Sequence, residues 1–216
     1  MKKKAVAVVM TAVMALGMVS AVSVQAGIED KTLIVGFDAE YPPYGYMDEN
    51  GEYTGFDLEL AQAVCDLEGW ELEKKPINWD SKDMELNSGS IDCIWNGFTM
   101  NGREDDYTFS EPYVDNSQVI VVADDSGIEK LTDLAGKTVG VQAASAALDL
   151  LQSEEEGGQK ELADTFGALN EFADYNTAFT ELQAGALDAL AIDVGVAKYQ
   201  LAQREEGKYK ILDEPI

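Results

Sequence analysis

The 216 residues contain no histidine, only two cysteines, and 15 lysines and arginines against 41 aspartates and glutamates, for a formal net charge of −26. Each shortage closes off some chemistry. Without histidine there is no His-assisted serine or cysteine nucleophile, no ordinary zinc site and no usual neutral-pH proton shuttle. Cys65 and Cys93 form no Cys-x-x-Cys pair. One falls on an amphipathic helix and the other on a buried strand, so two free core thiols are expected, with a disulfide between them as the alternative if the chain is exported. So few cations exclude nucleic acid and anionic membrane surfaces as partners, since both would be repelled, and the acids read as a solvated surface. Neither a P-loop nor a dinucleotide glycine fingerprint occurs. The composition argues against ordinary catalysis, and no cofactor and no metal are expected.

One apolar run stands out at the amino terminus. Lys2, Lys3 and Lys4 precede the stretch 5–24, and Val24-Gln25-Ala26 places small residues at both cleavage subsites. Residues 1–26 therefore read as a secretory signal, with an uncleaved anchor as the alternative, because the run is long enough to span a bilayer. The chain is expected to be exported, to the periplasm or the outer face of the membrane. Removing those three lysines leaves 12 basic residues against 41 acids. The remaining 190 residues suffice for one or two domains with a sizeable core.

Along the chain, strand and helix patterns alternate. Residues 33–37 form a short apolar strand and 38–55 a turn-rich loop. Asp57 is expected to cap a helix whose buried face carries Leu58, Ala61, Val64 and Cys65 and which Gly69 closes. A strand over 70–77, a short helix over 81–88 and a strand over 91–95 follow. Another strand over 118–123 precedes a turn, after which the pattern restarts. Strands are expected at 138–142, 168–172, 187–192 and 209–212, with helices at 144–151, 177–184 and 194–203. This alternation predicts an α/β fold, with ligands collecting beyond the carboxyl ends of the strands. The restart predicts two lobes, 27–118 and 119–210.

Five stretches in order, "LIVGFDAEYPPYGYMDENGEYTGFDLELAQAV", "NWDSKDMELNSGSIDCIWNGFTMNGRE", "YTFSEPYVDNSQVIVV", "LTDLAGKTVGVQ" and "ALDALAIDVGVAKY", resemble the extracellular solute-binding proteins of polar amino-acid ABC importers. The resemblance covers nearly all of the chain beyond residue 26. It implies the type II periplasmic-binding-protein-like fold, two α/β lobes joined by two crossing strands and closing over one amino acid. It also implies that residues 211–216 begin a return to the first lobe whose remainder is missing.

The site carries over residue by residue. "WNGFTMNGRE" ends a strand in polar residues. By resemblance, Gly97, Thr99 and Arg103 take the ligand's α-carboxylate. Arginine offers a planar fork for bidentate capture, and a glycine lets a ligand approach main-chain N–H groups. The Thr99 to Arg103 loop is one residue shorter than is common in the family. Surface pairing of Arg103 with Glu104, Asp105 or Asp106 is the alternative. Asp193, after the strand 187–192, corresponds to the acid that binds the α-ammonium, or else it caps the next helix. Tyr41 and Trp79 correspond to aromatics that sandwich the ligand side chain, with core packing as the alternative. Asp38 corresponds to the acid at the ligand's distal end and would favour a cationic or amide side chain; the bland reading is a turn-forming aspartate. Ser145 and Ala146, where relatives commonly carry Gly-Thr-Thr, would support the carboxylate from a helix N-terminus.

The resemblance implies a monomeric, non-enzymatic receptor for a polar or cationic amino acid, partnered by the membrane permease of an ABC importer. Two rivals remain from the sequence. One is a cyclohexadienyl-dehydratase-like enzyme on the same fold, and the other a binding module of a sensor or cell-wall enzyme.

Overall fold

The computed structural model describes residues 31–216, so the proposed signal at 1–26 lies outside the described residues. Among the described residues no helix is long and apolar enough to cross a membrane.

In the first lobe, strand β1 (Thr32–Phe37) forms the centre of a parallel three-stranded sheet. It lies between β5 (Glu71–Pro76) and β6 (Cys93–Ile94). Val35 and Phe37 are fully buried against Leu58, Ala61 and Cys65 of helix α1 (Phe56–Glu68). Those three helical positions repeat at the spacing that makes one stripe, and burying a side chain such as Phe37 or Leu58 contributes about 1.5–3 kcal/mol each. Gly69, with φ 70°, ends the helix by donating its N–H to the Cys65 carbonyl.

The helix start differs from expectation. Gly55 is the N-cap and Asp57 lies inside the first turn, buried, with one carboxylate oxygen accepting the Tyr113 hydroxyl at 3.0 Å. The first helical N–H groups go instead to main chain: Phe56 donates to the Pro43 carbonyl and Asp57 to that of Tyr44. No capping side chain is needed when a neighbouring loop supplies the acceptors.

That loop is itself structured. Residues 38–55, expected to be turn, contain β2 (Glu40–Tyr41), β3 (Gly45–Met47) and β4 (Tyr53–Thr54) in a small antiparallel sheet. Strands of two or three residues are too short to show alternation. The expected strand 91–95 likewise pairs only at Cys93–Ile94, because Asp92 uses its carboxylate to accept the Ile34 N–H at 2.8 Å. After a 3₁₀ turn (Trp79–Ser81), α2 (Lys82–Asn87) covers this sheet.

Residues 107–117 then run without helix or strand into the second lobe. Its five-stranded sheet has the order β11-β7-β10-β8-β9, with β7 (Gln118–Ala123), β8 (Thr138–Gln142), β9 (Ala168–Phe172), β10 (Ala189–Asp193) and β11 (Tyr209–Ile211). β8 is parallel to β9 and β10, but β7 runs antiparallel to both β10 and β11, so this sheet is mixed. Every residue of β10 is buried, as a central strand covered on both faces requires. The helices are α3 (Ala146–Gln152), α4 (Lys160–Ala163), α5 (Tyr175–Gln183) and α6 (Val194–Ala202). α4 was not expected, since four residues show no periodicity.

Tyr41 and Tyr44 of the first lobe pack into the second lobe's apolar cluster beside Tyr175, Val196 and Ala197. Gly195, at the start of α6, leaves room for the Tyr44 hydroxyl, which a Cβ would strike. The two lobes therefore meet as packed surfaces. Cys65 and Cys93 are both free thiols.

Candidate functional site

The carboxyl ends of β1 and β6 in one lobe face those of β8 and β10 in the other, and a small cavity lies between them. Eight of the nine candidates line it: Tyr41, Trp79, Gly97, Thr99, Arg103, Ser145, Ala146 and Asp193. Asp38 lies behind the wall, with its Oδ2 accepting the side-chain amide of Gln142, a lining residue, at 2.6 Å.

The first lobe supplies a turn and a cation. Gly97 has φ 57°, the left-handed region that glycine enters without cost. Its carbonyl accepts the Asn116 amide at 3.0 Å, and the same amide lies 3.2 Å from the Thr99 hydroxyl. Arg103 is 9% exposed, and its guanidinium carbon stands 4.8 Å from the Phe98 ring centre. It does not pair with Glu104, Asp105 or Asp106. Both Nε and Nη2 donate to Asp149 Oδ2, at 3.1 and 2.6 Å, across the gap between the lobes. Nη2 also donates to the Ala144 carbonyl at 3.3 Å and Nη1 to that of Thr99 at 3.4 Å. Ala144 holds φ 55°, uncommon for a residue with a side chain. Its carbonyl also accepts Trp79 Nε1 at 3.2 Å and Lys82 Nζ at 3.4 Å.

The second lobe supplies acids and amides. Asp193 ends β10 opposite Gln118 in the sheet register. Its Oδ1 accepts from Gln118 Nε2 at 2.6 Å and Asn116 Nδ2 at 2.7 Å, and its Oδ2 lies 3.4 Å from the Tyr175 hydroxyl. The carboxylate makes no capping bond to α6, so the helix-cap alternative is not the role it plays. Burial pushes its pKa up, against the pull of the Gln118 amide. Among the described residues this acid is surrounded by neutral donors and pairs with no cation, the environment in which a bound ammonium is worth most.

Ser145 is the N-cap of α3, accepting the Leu148 N–H at 3.2 Å, and Ala146 opens that helix. Asp38 Oδ1 accepts the Glu40 N–H at 2.8 Å, the local turn bond expected of an aspartate, while its other oxygen takes Gln142. Burial raises Asp38 to about 6, opposed by those two hydrogen bonds. The aromatics do not simply stand free: Tyr41 stacks on Tyr44 with centroids 5.5 Å apart, and Trp79 meets the edge of Phe98 at 5.4 Å.

Sequence reasoning missed Gln142, Asn116, Gln118, Lys82 and Asp149. Gln142 and Gln118 were findable as amides at the ends of otherwise apolar strands. Lys82, which is 5% exposed and whose pKa burial lowers, gives no sign in a polar helix. Among the described residues no group of three or more His, Cys, Asp or Glu is placed to hold a metal ion.

Residues 33–193 match the family described as bacterial extracellular solute-binding proteins, family 3. The chain belongs to that family. Among its relatives, this solute-binding protein is 32% identical over 193 residues to the L-cystine-binding protein TcyJ of Escherichia coli K12, covering 84% of this chain and 69% of TcyJ. It is 35% identical over 170 residues to the arginine-binding extracellular protein ArtP of Bacillus subtilis, covering 78% of this chain and 63% of ArtP. Thus it spans about two thirds of the length of these relatives. The crystal structure of a Streptococcus pneumoniae ABC uptake transporter substrate-binding protein with bound histidine superposes with a TM-score of 0.78 at 34% identity, over 84% of this chain and 74% of the other. The two-lobed type II fold is that of these relatives, and the relatives are binding proteins.

Proposed function

We propose that this protein binds an extracellular amino acid with a polar or cationic side chain and delivers it, by closure of its lobes, to the membrane permease of an ABC importer. The observation that carries the proposal is one cavity with a buried guanidinium on one lobe and a buried acid without a cation on the other. Such a pair suits the two ends of a zwitterion. Arg103, with the Gly97 and Thr99 turn, receives the α-carboxylate, and Asp193 receives the α-ammonium. Tyr41 and Trp79 flank the side chain, and Gln142, held from behind by Asp38, faces its far end. Ser145 and Ala146 add contacts from the second lobe.

Closure follows from differential affinity: contacts to Ser145 and Asp193 form only when the lobes meet, so the ligand favours the closed form. Charge-assisted hydrogen bonds contribute about 1.5–3 kcal/mol each, and four of them with stacking reach about 8 kcal/mol, near micromolar affinity. The names of the relatives, which bind cystine and arginine, support this ligand class. We place the protein outside the membrane, with residues 1–26 as the export signal.

A thermal-shift screen of the twenty amino acids, cystine and ornithine tests this. A true ligand at a hundred times its Kd adds about 2.7 kcal/mol and raises the melting temperature by roughly 5–10 °C. No rise with any of them refutes the proposal.

A further inference from the structure

Arginine carries five N–H donors, and in the closed arrangement four of those on Arg103 are already taken by the protein. Nε and Nη2 both point at Asp149 Oδ2, Nη2 also reaches the Ala144 carbonyl, and Nη1 reaches the Thr99 carbonyl. A carboxylate that docks on two parallel N–H groups needs one complete edge of the guanidinium. The Nε–Nη2 edge belongs to Asp149, and the other edge is half used by Ala144. The two partners of the ion pair are unequally placed, with the Arg103 side chain 10% exposed and that of Asp149 58% exposed. Asp149 can turn into water at little cost, whereas the guanidinium cannot leave the cleft.

We propose that Asp149 is a resident competitor for the ligand's carboxylate: it latches α3 of the second lobe onto Arg103 and must be displaced when an amino acid docks. The proposal rests on the reading of Arg103 as the carboxylate site. Lys82 belongs to the same device, because with Trp79 it holds the Ala144 carbonyl and so brings the start of α3 to the guanidinium. An ion pair with one exposed partner has modest strength. The latch therefore sets affinity without abolishing binding, and it disfavours ligands that lack a strong carboxylate contact.

The test uses Asp149→Asn, with Glu156→Gln in the exposed acidic loop as a control for net charge. L-arginine, L-histidine and L-cystine are titrated calorimetrically into each protein, and small-angle scattering measures the lobes before ligand is added. Asp149→Asn should bind about fivefold more tightly than the parent chain and show a larger radius of gyration without ligand, while Glu156→Gln changes neither. Unchanged or weaker binding in Asp149→Asn would overturn the competitor role and make Asp149 an ordinary brace of the closed form. If none of the three amino acids binds either protein, the proposed ligand class fails, and the scattering alone then decides the latch: equal radii refute it.

Discussion

Replacing Asp193 by asparagine should move binding and stability in opposite directions. The side chain is 4% exposed at the end of β10, surrounded by amide and hydroxyl donors with no cation. Burial raises its pKa, so keeping it ionised at neutral pH costs folding free energy that a neutral amide of the same shape does not. The amide can also be satisfied where it stands. Asn116 Oδ1 and Gln118 Oε1 are buried without partners, and turning either amide gives the new NH₂ group an acceptor. Asp193→Asn should therefore melt at the same temperature as the parent chain or higher. Affinity moves the other way, because the charge opposite the α-ammonium is gone. Losing one charge-assisted hydrogen bond costs about 1.5–3 kcal/mol, a Kd raised roughly 10- to 150-fold. Calorimetric titration with the best ligand from the thermal screen, beside melting curves without ligand, measures both. A variant that melts several degrees lower yet binds within threefold of the parent would refute this reasoning and make Asp193 a structural residue.

Stability should also rise on mild acidification. Burial raises Asp38 and Asp57 from 3.8 to about 6 each, so between these values the folded chain holds protons that the unfolded chain has released. Each group then costs about 3 kcal/mol at neutral pH; this stability is fully present below 3.8 and is lost as pH rises through about 6. Urea unfolding of the parent and of Asp57→Asn at pH 7.5 and 5.0 checks this, the variant showing a smaller gain at pH 5.0. Gly195→Ala places a methyl group against the Tyr44 hydroxyl where the lobes meet, and overpacking of this kind costs roughly 1–3 kcal/mol. Its affinity should fall about tenfold and Tyr44→Phe should restore much of it; a Gly195→Ala variant that binds like the parent contradicts the packed closure. Cys65 and Cys93 should resist a thiol reagent in the native state and both react on denaturation, since the first is fully buried and burial pushes the second up to about 11.

Much of the fold was legible in the sequence because strands and helices alternate along it and its central strands, β7 and β10, are largely apolar. The strands at 118–123, 138–142 and 168–172 coincide with the observed ones. What escaped was structure made by side-chain substitution or by very short pairing. Asp92 replaces a sheet bond with its carboxylate, and β2 to β4 total only seven residues. The candidate site was legible where a residue's chemistry and its place at a strand end agreed, as for Arg103 and Asp193. It was not legible where two distant segments supply one contact: Asp149 is 46 residues from Arg103 and looks from sequence like any exposed helical acid. Asn116, in a segment without regular structure, gives no periodic signal although it ties the Gly97 turn to Asp193.

If Arg103 and Asp193 hold the two ends of one zwitterion, masking either end of the ligand must cost affinity. Calorimetry on the best-bound amino acid, its methyl ester and its N-acetyl derivative, against the parent chain and Arg103→Ala, tests it directly. The parent should bind the free amino acid at least about a hundredfold more tightly than either derivative, and Arg103→Ala should no longer distinguish acid from ester. Equal binding of acid and ester by the parent chain, or undiminished preference for the acid in Arg103→Ala, would contradict it.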